Sequence, residues 1–150
     1  MWHLLKSVSL LVVVLVMVGC ATPQRSVEMH DMEACVWSTA EEFVYNNSDS
    51  LSQRDISIVV RYGSDYVADS VAMHILTISP DSMVVEEPFT LRIPRIKEVR
   101  PEEQTFIYRR NVVLSRKGEY HFRLTPDSLV EGISSIGIMV GEPQQQQNEE

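Results

Sequence analysis

What most narrows the choice of fold is a period of two. Between Glu119 and Thr125 the apolar Tyr120, Phe122 and Leu124 alternate with Glu119, His121 and Arg123. On extended backbone this sends one set of side chains to each face of a strand. A helix cannot use the pattern, because its apolar residues must recur every three or four positions. Five more apolar stretches of strand length lie at 55–61, 71–78, 89–93, 105–114 and 135–140, and shorter ones at 43–45 and 83–85. Turn residues fall between them: Ser79-Pro80-Asp81-Ser82, Ile93-Pro94, Arg100-Pro101 and Arg116-Lys117-Gly118. Proline fixes φ at such points and glycine permits positive φ. The last of these is short enough for a hairpin joining 105–114 to 119–125. Strands with one wet face belong to antiparallel sheets. The expected fold is therefore all-β: an antiparallel β-sandwich, immunoglobulin-like or jelly-roll-like, of about seven or eight strands.

Two segments break the period. Thr125-Pro126-Asp127-Ser128-Leu129-Val130-Glu131-Gly132 has an N-cap residue, a proline in first position and a closing glycine, which predicts one short helical turn near 126–131. Met29, Met32 and Val36 stand at helical spacing within 27–37, the pattern of a second helix.

The amino terminus follows a different logic. A short start with one positive charge, Lys6, leads into Leu10 to Val18, nine consecutive apolar residues, and then Gly19-Cys20. A spanning helix needs about 20 apolar residues, whereas the apolar part of a signal peptide needs about 7 to 15. Residues 1–19 thus read as a signal peptide. Met17-Val18-Gly19-Cys20 resembles the bacterial lipobox, which implies diacylglycerol on the Cys20 thiol and cleavage just before it. Cys20 is the expected lipidation site, 20–26 the lipidated tether, 27–141 the sandwich, and 142–150, with its run of four glutamines, a disordered tail. Ala-Thr-Pro-Gln-Arg after Cys20 carries no acidic residue; by general lipoprotein sorting this favours the outer membrane, with the domain facing the periplasm. With Cys20 committed to lipid, Cys35 has no disulfide partner and reads as a small buried hydrophobe.

The chain carries 13 Lys and Arg against 21 Asp and Glu, net −8. No basic stripe forms, so nucleic acid is not an expected partner. Chemistry is also scarce. His30, His74 and His121 are far apart and no HxH, HExxH or CxxC occurs, so no metal site is expected. No GxSxG or SxxK accompanies the serines. His74 reads as a core or edge histidine and His121 as a surface residue. A small hydrolase would need one of them to meet an acid and a nucleophile in a pocket. No catalytic residue and no cofactor is assigned. Trp37 reads as core. Tyr62 and Tyr66 flank Gly63 in a loop with Asp65 and Asp69, and these four, Tyr62, Asp65, Tyr66 and Asp69, are the expected partner contacts.

The order of these segments resembles the GldH-like gliding-motility lipoprotein family of Bacteroidota. The likeness is carried by Arg61 to Val71, by Asn111-Val112-Val113-Leu114 with Gly118 to Phe122, and by Val130 to Ile138, together with the lipobox and the place of Trp37. The resemblance implies a non-enzymatic lipoprotein that meets other envelope proteins of motility or secretion machinery. The alternative is a carbohydrate-binding or nutrient-uptake lipoprotein, which requires exposed aromatic side chains along a groove.

Overall fold

Runs of β-branched and aromatic residues form the strands that their alternation predicts. A computed structural model describes residues 24–97 and 100–144. The elements are β1 (Arg25–Asp31), a 3-10 turn (Glu33–Cys35), β2 (Val36–Trp37), β3 (Glu41–Asn47), β4 (Gln53–Tyr62), β5 (Val71–Ile78), β6 (Val84–Leu91), β7 (Glu102–Val113), β8 (Gly118–Pro126), β9 (Val130–Glu131) and β10 (Ile133–Gly141). The expected signal peptide, the expected lipidation site Cys20 and residues 145–150 lie outside the described residues.

Each strand of the first half pairs antiparallel with its mirror in the second: β1 with β10, β2 with β9, β3 with β8, β4 with β7, and β5 with β6. The chain is one long doubled ribbon bent at residues 79–83. Two further ladders, β10 with β4 and β5 with β8, roll the ribbon up. They give two four-stranded sheets, in the orders β1-β10-β4-β7 and β3-β8-β5-β6. A doubled ribbon rolled into two such sheets is the jelly roll. Of the two sandwich types expected, the connectivity selects this one.

Inward side chains of the two sheets make one core. Ile58 and Val60 of β4 and Ile136 and Ile138 of β10 meet Phe43, Met73, Ile75, Phe122 and Leu124 from the other sheet. β8 alternates as its sequence requires, with Tyr120, Phe122 and Leu124 buried and Glu119, His121 and Arg123 exposed. The sides of the sandwich, where edge strands face each other, are fastened by carboxylates. On one side the outward amide of Val44 donates to Glu28 at 2.9 Å, and His30 Nδ1 lies 2.8 Å from Glu41 Oε2. On the other, the Tyr108 hydroxyl and the Arg109 guanidinium both donate to Glu87. Satisfying edge amides in this way leaves fewer groups free for stray strand pairing.

Both expected helices are absent. Residues 25–31 form β1, whose ladder runs from Arg25↔Gly141 to Asp31↔Ser135. A helix through 27–37 would forfeit that ladder, and the left-handed backbone of Ala34 (φ 53) and Cys35 (φ 56) breaks helical continuity. The expected turn near 126–131 is extended instead. Pro126 ends β8 opposite Met73, and Val130 pairs with Trp37 and is buried. The local capping pattern loses to the mirror pairing, which calls for a strand opposite β2. The expected stretches at 83–85 and 89–93 merge into β6, and with β1, β2 and β9 the count among the described residues is ten. Arg25 and Ser26, assigned to the tether, belong to β1, and the Gln144 amide donates to Asp55 at 3.0 Å.

Candidate functional site

The loop between β4 and β5 is held from beneath. Tyr62 stays in phase with Ile58 and Val60, so it faces inward and is fully buried. The Gly63 amide donates to the Gly132 carbonyl at 3.0 Å, and the Tyr66 amide donates to Gly63 O at 3.2 Å, a turn that returns Tyr66 to the core. The two phenol rings meet edge to face, 5.7 Å apart. Gly132, at φ +85, presses on this turn: a β-carbon there would lie 2.2 Å from the Tyr66 nitrogen. Its own amide donates to Cys35 O at 2.9 Å. Three distant segments therefore interlock to close this end of the sandwich.

The expectation of exposed tyrosines is corrected. Tyr62 and Tyr66 are buried, and neither hydroxyl makes a well-formed hydrogen bond, although Gln104 lies close to that of Tyr62. Burial pushes both phenols above their ordinary pKa, with Glu102 adding to the rise at Tyr62 and Asp69 at Tyr66. They cannot touch a partner; they position the surface that could. Asp65, Val67 and Asp69 remain exposed above them. Asp69 receives Arg95 Nη2 at 2.7 Å, both side chains being largely in solvent, so the pair contributes at most about 1 kcal/mol.

Cys35 also departs from expectation: it is free and exposed. The left-handed turn at Ala34 and Cys35 sends the thiol to solvent, and burial begins with Trp37. Trp37 is core, as expected, with Nε1 donating to Thr39 O at 2.9 Å. His74, expected in the core or at an edge, lies on the outer face of β5, between the inward Met73 and Ile75. Its Nδ1 is 2.9 Å from Asp127 Oδ1, with both side chains nearly half exposed. His121 is similarly open, 3.8 Å from Glu119. His74 thus meets an acid but no bonded nucleophile. Among the described residues no three His, Cys, Asp or Glu side chains gather as a metal site would require.

Sequence reasoning missed the opposite end of the sandwich. There Met83, Val84, Val85 and Val113 are exposed, beside a cleft of about 260 Å³ that also meets Asp81, Arg116 and Tyr120. The signal was present: three consecutive apolar residues in an edge segment cannot all face one core. Arg54 was missed too, since the expected strand began one residue after it.

No protein-family model matches the chain, and no curated protein matches it. Among solved structures it is similar to the Yersinia pseudotuberculosis-derived mitogen, at 7% identity and TM-score 0.36 over 85% of this chain and 93% of that one. It is also similar to the infectious bursal disease virus Gx strain structure, at 8% identity and TM-score 0.38 over 83% and 37%. A third is the enzymatically active domain of bacteriophage CBA120 tailspike protein 4, at 11% identity and TM-score 0.33 over 82% and 19%. Likenesses this slight carry no weight for function, and the jelly-roll assignment rests on the strand connectivity.

Proposed function

We propose that the chain is a non-enzymatic outer-membrane lipoprotein, anchored through Cys20 and facing the periplasm. Its jelly roll would dock other envelope proteins of motility or secretion machinery, in the manner of the gliding-motility lipoproteins it resembles. The observation that carries this reading is the order of positive start, nine-residue apolar run and Met17-Val18-Gly19-Cys20. An anchor of several acyl chains, at about 0.8 kcal/mol per buried methylene, is effectively permanent. The exposed Asp65 and Val67, beside the Asp69–Arg95 pair and above the buried tyrosines, supply a contact surface on which Asp65 and Asp69 suit a partner that brings its own basic group.

Metabolic labelling with a palmitate analogue tests the anchor: the label is expected on the wild-type chain and absent from Cys20→Ala, and a label that persists in the variant overturns it. Mild crosslinking followed by copurification tests the docking. An envelope partner lost on Asp65→Lys with Asp69→Lys supports it, and recovery of a monomer alone counts against it. The carbohydrate reading finds no support at the surface. Every Trp, Tyr and Phe among the described residues is buried or half-buried, whereas that reading needs aromatic rings in the open.

A further inference from the structure

The end of the sandwich opposite the tyrosine plug combines features that belong at a membrane surface. Arg54 faces inward at the start of β4, in line with Ile56 and Ile58, and its side chain is only 9% exposed. A buried guanidinium normally has its donors filled. Here Nε has no partner, and the nearest carboxylate oxygen, Asp49 Oδ2, is 3.5 Å from Nη2. Asp49 is shared: Oδ1 accepts the amides of Leu51 at 2.9 Å and Ser52 at 3.2 Å, which leaves Oδ2 in a long pair with Arg54 Nη2 and none of its oxygens on Nε. Arg54 lines a cleft of about 380 Å³ together with Arg25, Tyr45, Asn46 and Ser48. Arg25 is exposed and pairs with no carboxylate among the described residues. Two guanidiniums, one of them buried with a donor unmet, make a site for an oxyanion.

What surrounds the cleft indicates where the oxyanion comes from. The chain enters the fold at this end, because Arg25 opens β1, and Cys20 precedes it by five residues, a reach of at most about 17 Å. The neighbouring tips are apolar: Leu51 is 85% exposed, Met83 63% and Val84 59%. Asn47, next to the cleft-lining Asn46, ties the end of β3 to the β7–β8 turn by donating to the carbonyls of Leu114 and Arg116. Basic side chains among apolar tips match a surface of phosphate headgroups over acyl chains. The acids at this end are themselves held: Asp81 by Arg116 Nε at 3.0 Å, Asp55 by the amides of Asn111 at 2.8 Å and Gln144 at 3.0 Å, and Asp49 by those of Leu51 and Ser52.

We propose that this end of the domain rests on the bilayer and that the Arg25–Arg54 cleft takes the phosphate of an anionic phospholipid headgroup. The placement at the bilayer rests on the lipoprotein reading; the phosphate site does not.

The test uses the full Cys20→Ala chain in neutral detergent micelles, so that it reads the cleft and not an acyl anchor, and a failed palmitate labelling leaves it standing. The Arg54 Nε–H resonance is followed during titration with dihexanoyl phosphatidic acid, with dihexanoylglycerol and with inorganic phosphate. The expected result is a saturable shift with phosphatidic acid and none with dihexanoylglycerol. Arg25→Gln should weaken binding about tenfold, as expected for one charge-assisted hydrogen bond. Arg54→Leu should abolish it, and because Arg25 is an exposed strand-end residue, its variant keeps the test decisive if Arg54→Leu does not fold. Inorganic phosphate binding as tightly as the lipid would assign the site to a free anion and overturn the headgroup. No shift with any phosphate, or unchanged binding by Arg25→Gln, would overturn the site itself.

Discussion

Two glycines of the closing end show how differently one residue type can be constrained. Gly63 has nothing within 4 Å of where a β-carbon would lie, whereas Gly132 combines φ +85 with backbone atoms of Tyr66 and Asp65 inside 3 Å. Gly63→Ala should therefore change stability by less than about 0.5 kcal/mol. Gly132→Ala should cost about 3 kcal/mol or more, adding left-handed strain to a clash that neighbouring backbone must absorb. Urea midpoints of the two variants check this, and equal midpoints would contradict the interlock. The buried phenols give a second prediction. Their folded pKa lies above the ordinary value of 10.0, so above that pH the unfolded chain releases protons that the folded chain retains. Stability is complete below about pH 10 and falls as pH rises toward the folded value. Tyr66→Phe removes one such group together with a buried hydroxyl that lacks a partner. It should leave neutral-pH stability unchanged or raise it by up to about 1 kcal/mol and move alkaline unfolding to higher pH, read from phenolate absorbance alongside circular dichroism. The sequence located these residues but misjudged their exposure. Gly63 drew attention to the loop, while burial is decided by phase with β4 and by Gly132, which is remote in sequence.

At the scale of elements, β8 was fully legible because its alternation is local and its partners on both sides are strands of the same kind. β1 and β9 were not. Each is held by a ladder to a distant segment, and no window of neighbouring residues contains that information. Helical spacing over three residues and a capping pattern are weak local preferences, which tertiary pairing overrides. The carboxylate fastenings were equally hidden, since Glu87 reads as one acid of an ordinary edge strand. Its pKa is lowered by hydrogen bonds from Tyr108 and then Arg109. A carboxylate held low in the folded state stabilises above its unfolded value and loses that contribution as pH falls through the folded value. Acidification below pH 4.5 should therefore loosen the β6–β7 side, and Glu87→Gln should mimic it at neutral pH. With the group partly in solvent, the global loss should stay below about 1 kcal/mol. Hydrogen exchange should show faster opening of β6 than of β8, and uniform acceleration across both sheets would argue against a local fastening.

For the whole molecule, composition and alternation announced a sandwich, but only pairing could distinguish its kind. The jelly roll follows from the mirror ladders, and these place the chain entrance, the bend at 79–83 and the Arg54 cleft at one end, with the tyrosine plug at the other. Pairings of large sequence separation make folding slow. Refolding of the detergent-solubilised chain should take milliseconds to seconds, and a single microsecond phase in stopped-flow or temperature-jump measurements would be inconsistent with the ladder order.

The mirrored ribbon also bears on how the chain is made. None of the ladders joins two strands among β1 to β5; each requires at least one strand beyond the bend. As a polypeptide emerges from a ribosome or threads a pore amino terminus first, its leading half therefore meets no sheet partner until the trailing half follows. Such a chain stays pliable until its trailing half arrives and then sets from the bend outward, since β5 can pair with β6 at once whereas β1 must wait for β10.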